Sequence, residues 1–240
     1  MSKNDDNRRN HLHDLAAKVV HEAGFITSLA PDAREALAEL ERTPINVVDG
    51  KGITDMRALL WCSIDNDDSR DLDQLQCAER LDGGKIRLLV AIADVDAAVK
   101  RGDPIDRHAA HNATSVYTGV RTFPMLPDQL SEGITSLLPG QDRFAVVVGL
   151  TLDDEGSVVE CEAWRAIVCN RAKLIYESIG AWLDKGGKPP TAVQQIDGLE
   201  DQLLLQYEAT ERIERYRTEH GALNLETIEA RPIARDGKIV

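Results

Sequence analysis

Five aspartates crowd into residues 63–76, which read Ser-Ile-Asp-Asn-Asp-Asp-Ser-Arg-Asp-Leu-Asp-Gln-Leu-Gln: Asp65, Asp67, Asp68, Asp71 and Asp73. Carboxylates packed together at the end of a buried strand repel one another, and each resists leaving water. A divalent cation relieves both costs, and hard oxygen ligands suit Mg²⁺, Mn²⁺ or Ca²⁺. Asp71 and Asp73 are two residues apart, so an extended backbone points both to one face. Asp65 enters from the end of the preceding strand. The same composition is also that of a solvated acidic turn. A calcium EF-hand fits only in part. Its sixth position, which needs glycine, is Arg70, and its twelfth is Gln76 where a bidentate Glu is needed.

Two apolar segments must position this loop. Strand character is expected over residues 59–65 and near 72–79, followed by a hairpin turn at Leu81-Asp82-Gly83-Gly84. Residues 85–94 (Lys-Ile-Arg-Leu-Leu-Val-Ala-Ile-Ala-Asp) form the clearest central strand and end in another carboxylate, Asp94. Further along, residues 144–152 and 157–168 are expected strands around a hairpin at Asp153-Asp154-Glu155-Gly156. Asn170 is expected to cap a helix through Leu183, and a long charged helix spans about 199–219, stopping at Gly221.

Helical spacing dominates the N-terminal part. Residues 1–10 are charged and expected to be disordered. Leu12, Leu15, Ala16, Val19 and Val20 then recur at helical intervals, and a second helix starts at Pro31. These two helices define an N-terminal module over residues 11–50, either helix-turn-helix-like or a pair packed on the main domain. The main domain occupies residues 51–240. Within it, Asp103-Pro104 opens a helix running to about Asn112. The prolines of residues 114–127 argue against any regular element there. At the end, the turn Asp236-Gly237 leaves only Lys238, Ile239 and Val240 as a return strand, too short to hold a register. The chain is therefore expected to be a fragment, or to meet a partner surface from elsewhere.

Composition narrows the classes. The net charge of −13 argues against broad electrostatic adhesion to nucleic acid, so any such role needs metal ions, a local basic groove or separate binding domains. No apolar run is long enough to span a membrane, and the polar N-terminus is no signal peptide. The four cysteines show no CxxC pair and sit in apolar segments. They are expected to be buried free thiols in a reducing cytoplasm.

Four groups of residues follow one another at fitting distances. They are residues 64–73 of the acidic run, Val-Ala-Ile-Ala-Asp-Val at 90–95, Thr-Ser-Val-Tyr at 114–117, and Pro-Met-Leu-Pro at 124–127 with Leu130-Ser131. Leu137, Asp142-Arg143 and Gly-Ala-Leu at 221–223 extend the pattern. Together they resemble the catalytic RNB domain of the ribonuclease II / ribonuclease R family. The resemblance implies an α+β RNB-type fold, incomplete at its C-terminus, behind the helical module. It further implies a Mg²⁺-dependent (Mn²⁺ possible in its place) 3′→5′ exoribonuclease that releases nucleoside 5′-monophosphates from single-stranded RNA. Carried over by position, Asp65, Asp71 and Asp73 match the family's metal-site aspartates. Tyr117 matches an aromatic residue that packs on the 3′-terminal nucleotides; taken alone, the residue reads rather as a buried tyrosine with a satisfied hydroxyl.

Three departures accompany the resemblance. Relatives place a fourth aspartate after Asp73, where this chain has Gln74, an oxygen ligand without charge. The family's cold-shock and S1-type domains have no counterpart here. Its later acidic helix and arginine-rich phosphate-binding segment have none either, so residues 1–240 alone are expected to be largely inactive on RNA. These departures motivate the alternative function, a non-catalytic RNB-like protein that binds RNA or a partner.

Overall fold

The computed structural model describes residues 3–43, 45–48, 50–223, 234–235 and 238–239. In chain order its elements are α1 (Lys3–Glu22), α2 (Pro31–Arg42), β1 (Ile53–Asp55), β2 (Cys62–Asp65), β3 (Gln74–Arg80), β4 (Ile86–Ala93) and α3 (Pro104–Asn112). They continue as β5 (Val116–Thr118), β6 (Arg121–Phe123), β7 (Asp142–Leu152), β8 (Val158–Cys169), β9 (Ala172–Ile175), α4 (Tyr176–Lys185), α5 (Thr191–Gln194) and α6 (Leu199–Glu219). The last pair is β10 (Ala234–Arg235) with β11 (Lys238–Ile239). The chain divides into two compact units.

The larger unit holds β1–β4, β7–β9 and α4–α6. Its strands form one sheet in the order β1-β8-β7-β4-β3-β2-β9. β1 pairs with β8, and β2 with β9, in parallel; the remaining neighbours are antiparallel. The two central hairpins account for the antiparallel middle, since short turns can only return a strand beside its predecessor. Alternation then assigns faces. Leu75, Cys77, Leu89, Ala91, Ala145, Val147, Ala166 and Val168 bury one face together with Trp61 and Leu72. On the other, Ala78, Ile86 and Leu152 meet Ala209 of α6, while Cys62, Ala172 and Leu174 meet Trp182, Leu199 and Leu203.

Helix α6 is highly charged, so its few buried residues and two polar clamps decide its docking. The Gln202 side chain accepts the Ala78 N–H at 2.6 Å and donates to the Ala78 carbonyl at 2.7 Å. Among the described residues no strand flanks β3 on that side beyond the Cys62–Gln76 pair, and this amide stands in for one. At the far end Arg212 donates to the carbonyls of Gly84 (2.8 Å) and Asp153 (3.2 Å), which ties the turns of both hairpins to the helix.

The smaller unit holds α1, α2, α3 and the β5–β6 hairpin, with β10 and β11. The side-chain amide of Asn112 accepts the Ile26 N–H (2.9 Å) and donates to its carbonyl (3.0 Å). Asp32 of α2 pairs with Arg107 of α3 at 2.8 Å. The N-terminal helices thus sit in a unit with residues 99–129, which the sequence reading places in the main domain.

Several local expectations change. The backbone is helical from Lys3, where a disordered tail over 1–10 is expected. Residues 116–123 form a hairpin because Pro124 and Pro127 lie beyond it and leave its ladder intact. Residues 172–175 are a strand, not the first turn of a helix: pairing with β2 satisfies their backbone, and α4 starts only at Tyr176. The Asn170 amide caps nothing; it donates to Leu137 O (2.8 Å) and Ser63 Oγ (3.2 Å) and accepts from Ala172 N (3.1 Å). Residues 223–228 and 231–234 also read as extended in the sequence, and they lie almost entirely outside the described residues. The hairpin expected around Asp236-Gly237 is present as the β10–β11 pair.

Three cysteines are buried, but Cys161 is exposed on β8, against the expectation that all four are buried. Burial pushes the Cys62 thiol up to about 11 and the Cys77 thiol up to about 12. Only Cys161 should therefore react with a thiol reagent such as Ellman's in the native protein, the others following on unfolding. Prompt reaction of more than one thiol equivalent would contradict the packing described.

Candidate active site

The acidic run begins at the exit of β2. Asp65, opposite Ile175 of β9, turns the chain back: its Oδ1 accepts the Asn66 N–H and the Ser69 hydroxyl, both at 2.7 Å. Lys173 of β9 then donates to the carbonyls of Asp67 (2.8 Å) and Ser69 (2.6 Å). Ser136 holds the next stretch. Its hydroxyl donates to Arg70 O at 2.9 Å and accepts the Leu72 N–H at 3.1 Å. Leu137 N–H donates to Leu72 O (2.8 Å), and Ala93 N–H to Asp73 O (2.9 Å). The backbone attachments fall on three supports, Lys173 of β9, the segment at Ser136 and Leu137, and Ala93 at the end of β4, so the run is fixed along its length.

That attachment decides where the side chains go. Leu72 is fully buried and anchors the segment, while Asp71 and Asp73 on either side are exposed. Gln74 is the first residue of β3 and also exposed; alternation sets it on the face opposite Leu75. The Asp73 carboxyl titrates above its ordinary range, first through burial and then through the negative fields of Asp71 and Asp65. Asp71 and Asp65 therefore both lie close enough to act on Asp73 electrostatically. Among the described residues, however, no three His, Cys, Asp or Glu side chains converge as a group that could hold a metal ion. Asp71 and Asp65 thus act on Asp73 through their fields, without a ready-made three-acid cluster among the described residues. Their chemistry, three carboxylates supplying only oxygen, fits a hard divalent cation.

Asp94 has a different role. It is buried at the end of β4, and its Oδ2 accepts from Arg165 Nε (2.8 Å) and Nη2 (2.6 Å). A carboxylate so engaged holds β4 to β8. Tyr117 lies in β5 opposite Thr122 and is 73% exposed. The reading of Tyr117 as a core tyrosine is thereby excluded.

Ser136, Lys173 and Arg143 were not legible as site residues. The Arg143 guanidinium donates to the carbonyls of Ser136 (3.0 Å), Gly133 (3.2 Å) and Asp142 (3.1 Å), and to the Gln141 side chain. Burial lowers its pKa, yet these acceptors fix the segment that in turn fixes the acidic run. The sole sequence signal was the Asp142-Arg143 pair; nothing distinguishes Ser136 or Lys173 before the strands are paired.

Residues 53–240 match the family model described as the RNB domain. The chain is 32% identical over 218 residues to Ribonuclease R of Escherichia coli, covering 91% of this chain and 26% of that protein. It is 31% identical over 210 residues to Ribonuclease R of Thermotoga maritima, covering 86% of this chain and 29% of that protein. The chain thus spans between a quarter and a third of the length of these relatives. The structure of Mycoplasma genitalium RNase R in complex with ribose-methylated single-stranded RNA superposes with a TM-score of 0.81 at 22% identity, covering 94% of this chain and 34% of that one. The match over residues 53–240 carries the assignment: the chain belongs to the RNB-domain family.

Proposed function

We propose that this chain carries the acidic centre of a metal-dependent 3′→5′ exoribonuclease acting on single-stranded RNA and releasing nucleoside 5′-monophosphates. The observation that carries the reading is the backbone-fixed run holding Asp71 and Asp73 on either side of buried Leu72, near Asp65, within an RNB-domain match. In this reading Asp65, Asp71 and Asp73 are the catalytic carboxylates and hold Mg²⁺, or Mn²⁺, with Gln74 as a neutral oxygen donor. A metal bound there supplies activation of water and stabilisation of the leaving 3′-oxygen. The chain's own part is to present negative oxygens on a backbone that does not rearrange, which is where preorganisation has its effect. Exposed Tyr117 offers a ring on which any base can stack. The unpaired thiols support a reducing, cytoplasmic setting.

The test is a time course on 5′-end-labelled single-stranded RNA with Mg²⁺, run with the protein as its gene encodes it. Shortening by single nucleotides from the 3′ end, with release of 5′-monophosphates, supports the reading. Retarded but intact RNA supports the second reading, a non-catalytic RNB-like protein that binds RNA or a partner. That no three acids converge as a metal-holding group among the described residues, and that Gln74 is neutral, favour that alternative.

Tyr117→Ala should stall degradation at longer end products, through loss of a stacking contact of about 1–3 kcal/mol. Because the side chain is exposed, the melting temperature should stay where it is. Unchanged end products would remove Tyr117 from the RNA path.

A further inference from the structure

We propose that Lys173 is a positioning residue for the acidic centre, setting the path of the chain between Asp65 and Asp71. This rests on the functional reading above and names the device that shapes that site. The parallel register of β2 with β9 pairs Ser63 with Lys173 and Asp65 with Ile175. Paired residues share a face, so Lys173 projects from the same face as Ser63 and Asp65, opposite the buried Ala172 and Leu174. From there its ammonium reaches two carbonyls, Asp67 O and Ser69 O, on the turn that leaves Asp65. Ser69 also donates its hydroxyl to Asp65 Oδ1. One lysine therefore links the strand beside Asp65, the carbonyls of the turn and, through Ser69, the Asp65 carboxylate itself. Ser136 takes over at Arg70 and Leu72. Asp65 is consequently held on β2 and the stretch around Asp71 by Ser136, with Lys173 bridging the turn between them.

Two roles for this lysine predict opposite signs. As a bare positive charge among aspartates, it would oppose a bound cation, and its removal would tighten metal binding. As a positioning residue, its removal frees the turn, and metal binding weakens although the site becomes more negative. Partners that orient metal ligands act by the second route, typically with effects of about ten- to a hundredfold.

The experiment compares wild type, Lys173→Met and Lys173→Arg in two measurements. Hydrogen exchange of the amides at 66–71 is read in metal-free protein, and Mn²⁺ affinity by titration. Lys173→Met should accelerate exchange at 66–71 while β2 and β9 keep their protection, and should weaken Mn²⁺ binding by about tenfold or more. Lys173→Arg, whose planar fork can donate to two carbonyls, should recover most of both. Unchanged exchange in Lys173→Met overturns the proposal, as does tighter or unchanged Mn²⁺ binding alongside faster exchange. General loss of protection in Lys173→Met, unrescued by Lys173→Arg, overturns it in favour of a purely structural lysine. Should wild type bind no Mn²⁺ at the aspartates, the functional reading fails, and exchange at 66–71 still decides whether Lys173 sets the turn.

Discussion

Asp73→Asn, made in the protein as its gene encodes it, should abolish hydrolysis of single-stranded RNA while RNA binding persists. The substitution keeps the shape of the side chain and removes its charge, which is what a hard cation needs from a ligand. Asp73 is the carboxyl already under the fields of Asp71 and Asp65. Neutralising it relieves that repulsion, so the variant should fold at least as well as the wild type. A loss in turnover of on the order of a hundredfold or more is expected, with the melting temperature unchanged or raised. Near-normal turnover would show that Asp73 lies outside the catalytic centre.

The largest expected effect on stability lies elsewhere, at the β7–β8 turn. Gly156 adopts φ +92°, and a Cβ built there would lie 2.1 Å from the backbone carbonyl oxygen of Arg212 in α6. Neither obstacle can relax cheaply. The positive φ is strained for any L-residue, and the obstructing atom belongs to a helix whose Arg212 side chain is itself anchored to Gly84 O and Asp153 O. Gly156→Ala should therefore cost on the order of 3 kcal/mol or more, lowering the melting midpoint by roughly 10 °C. Gly83, at φ +72° with nothing within 4 Å of its added Cβ, provides the control. Gly83→Ala isolates the conformational strain alone and should cost about 1–2 kcal/mol. Equal melting of the two variants would mean that the approach of α6 to the turn is looser than described.

How far the sequence announces this arrangement depends on whether the signal is local. The hairpin of β3 and β4 is legible because Leu81-Asp82-Gly83-Gly84 interrupts two apolar runs, and the structure places β4 at Ile86–Ala93. Helices α2 and α6 are legible from Pro31 at one start and Gly221 after the other end. Strand β9 is not. Ala-Lys-Leu-Ile at 172–175 has no period that separates strand from helix, and only β2 alongside decides it. The 116–123 hairpin is hidden in the sequence because Pro124 and Pro127 follow it closely and argue against regular structure without lying inside it. For the site, the aspartates stood out because charge crowding is a local property. Their supports did not, since Ser136 lies more than sixty residues from the segment it holds and Lys173 about a hundred from its own. A long-range hydrogen bond leaves no trace in the residues between its partners.

In the proposed reading Asp65, Asp71 and Asp73 together bind a divalent metal, whose positive charge offsets the fields of Asp71 and Asp65 on Asp73. The direct measurement is the Mn²⁺ affinity of the wild type beside that of Asp73→Asn, followed by electron paramagnetic resonance in the absence of RNA. Free Mn²⁺ signal should be quenched by wild type, restored by added Mg²⁺, and quenched at least about tenfold less avidly by the variant. Equal affinity for Mn²⁺ in wild type and Asp73→Asn would contradict the assignment.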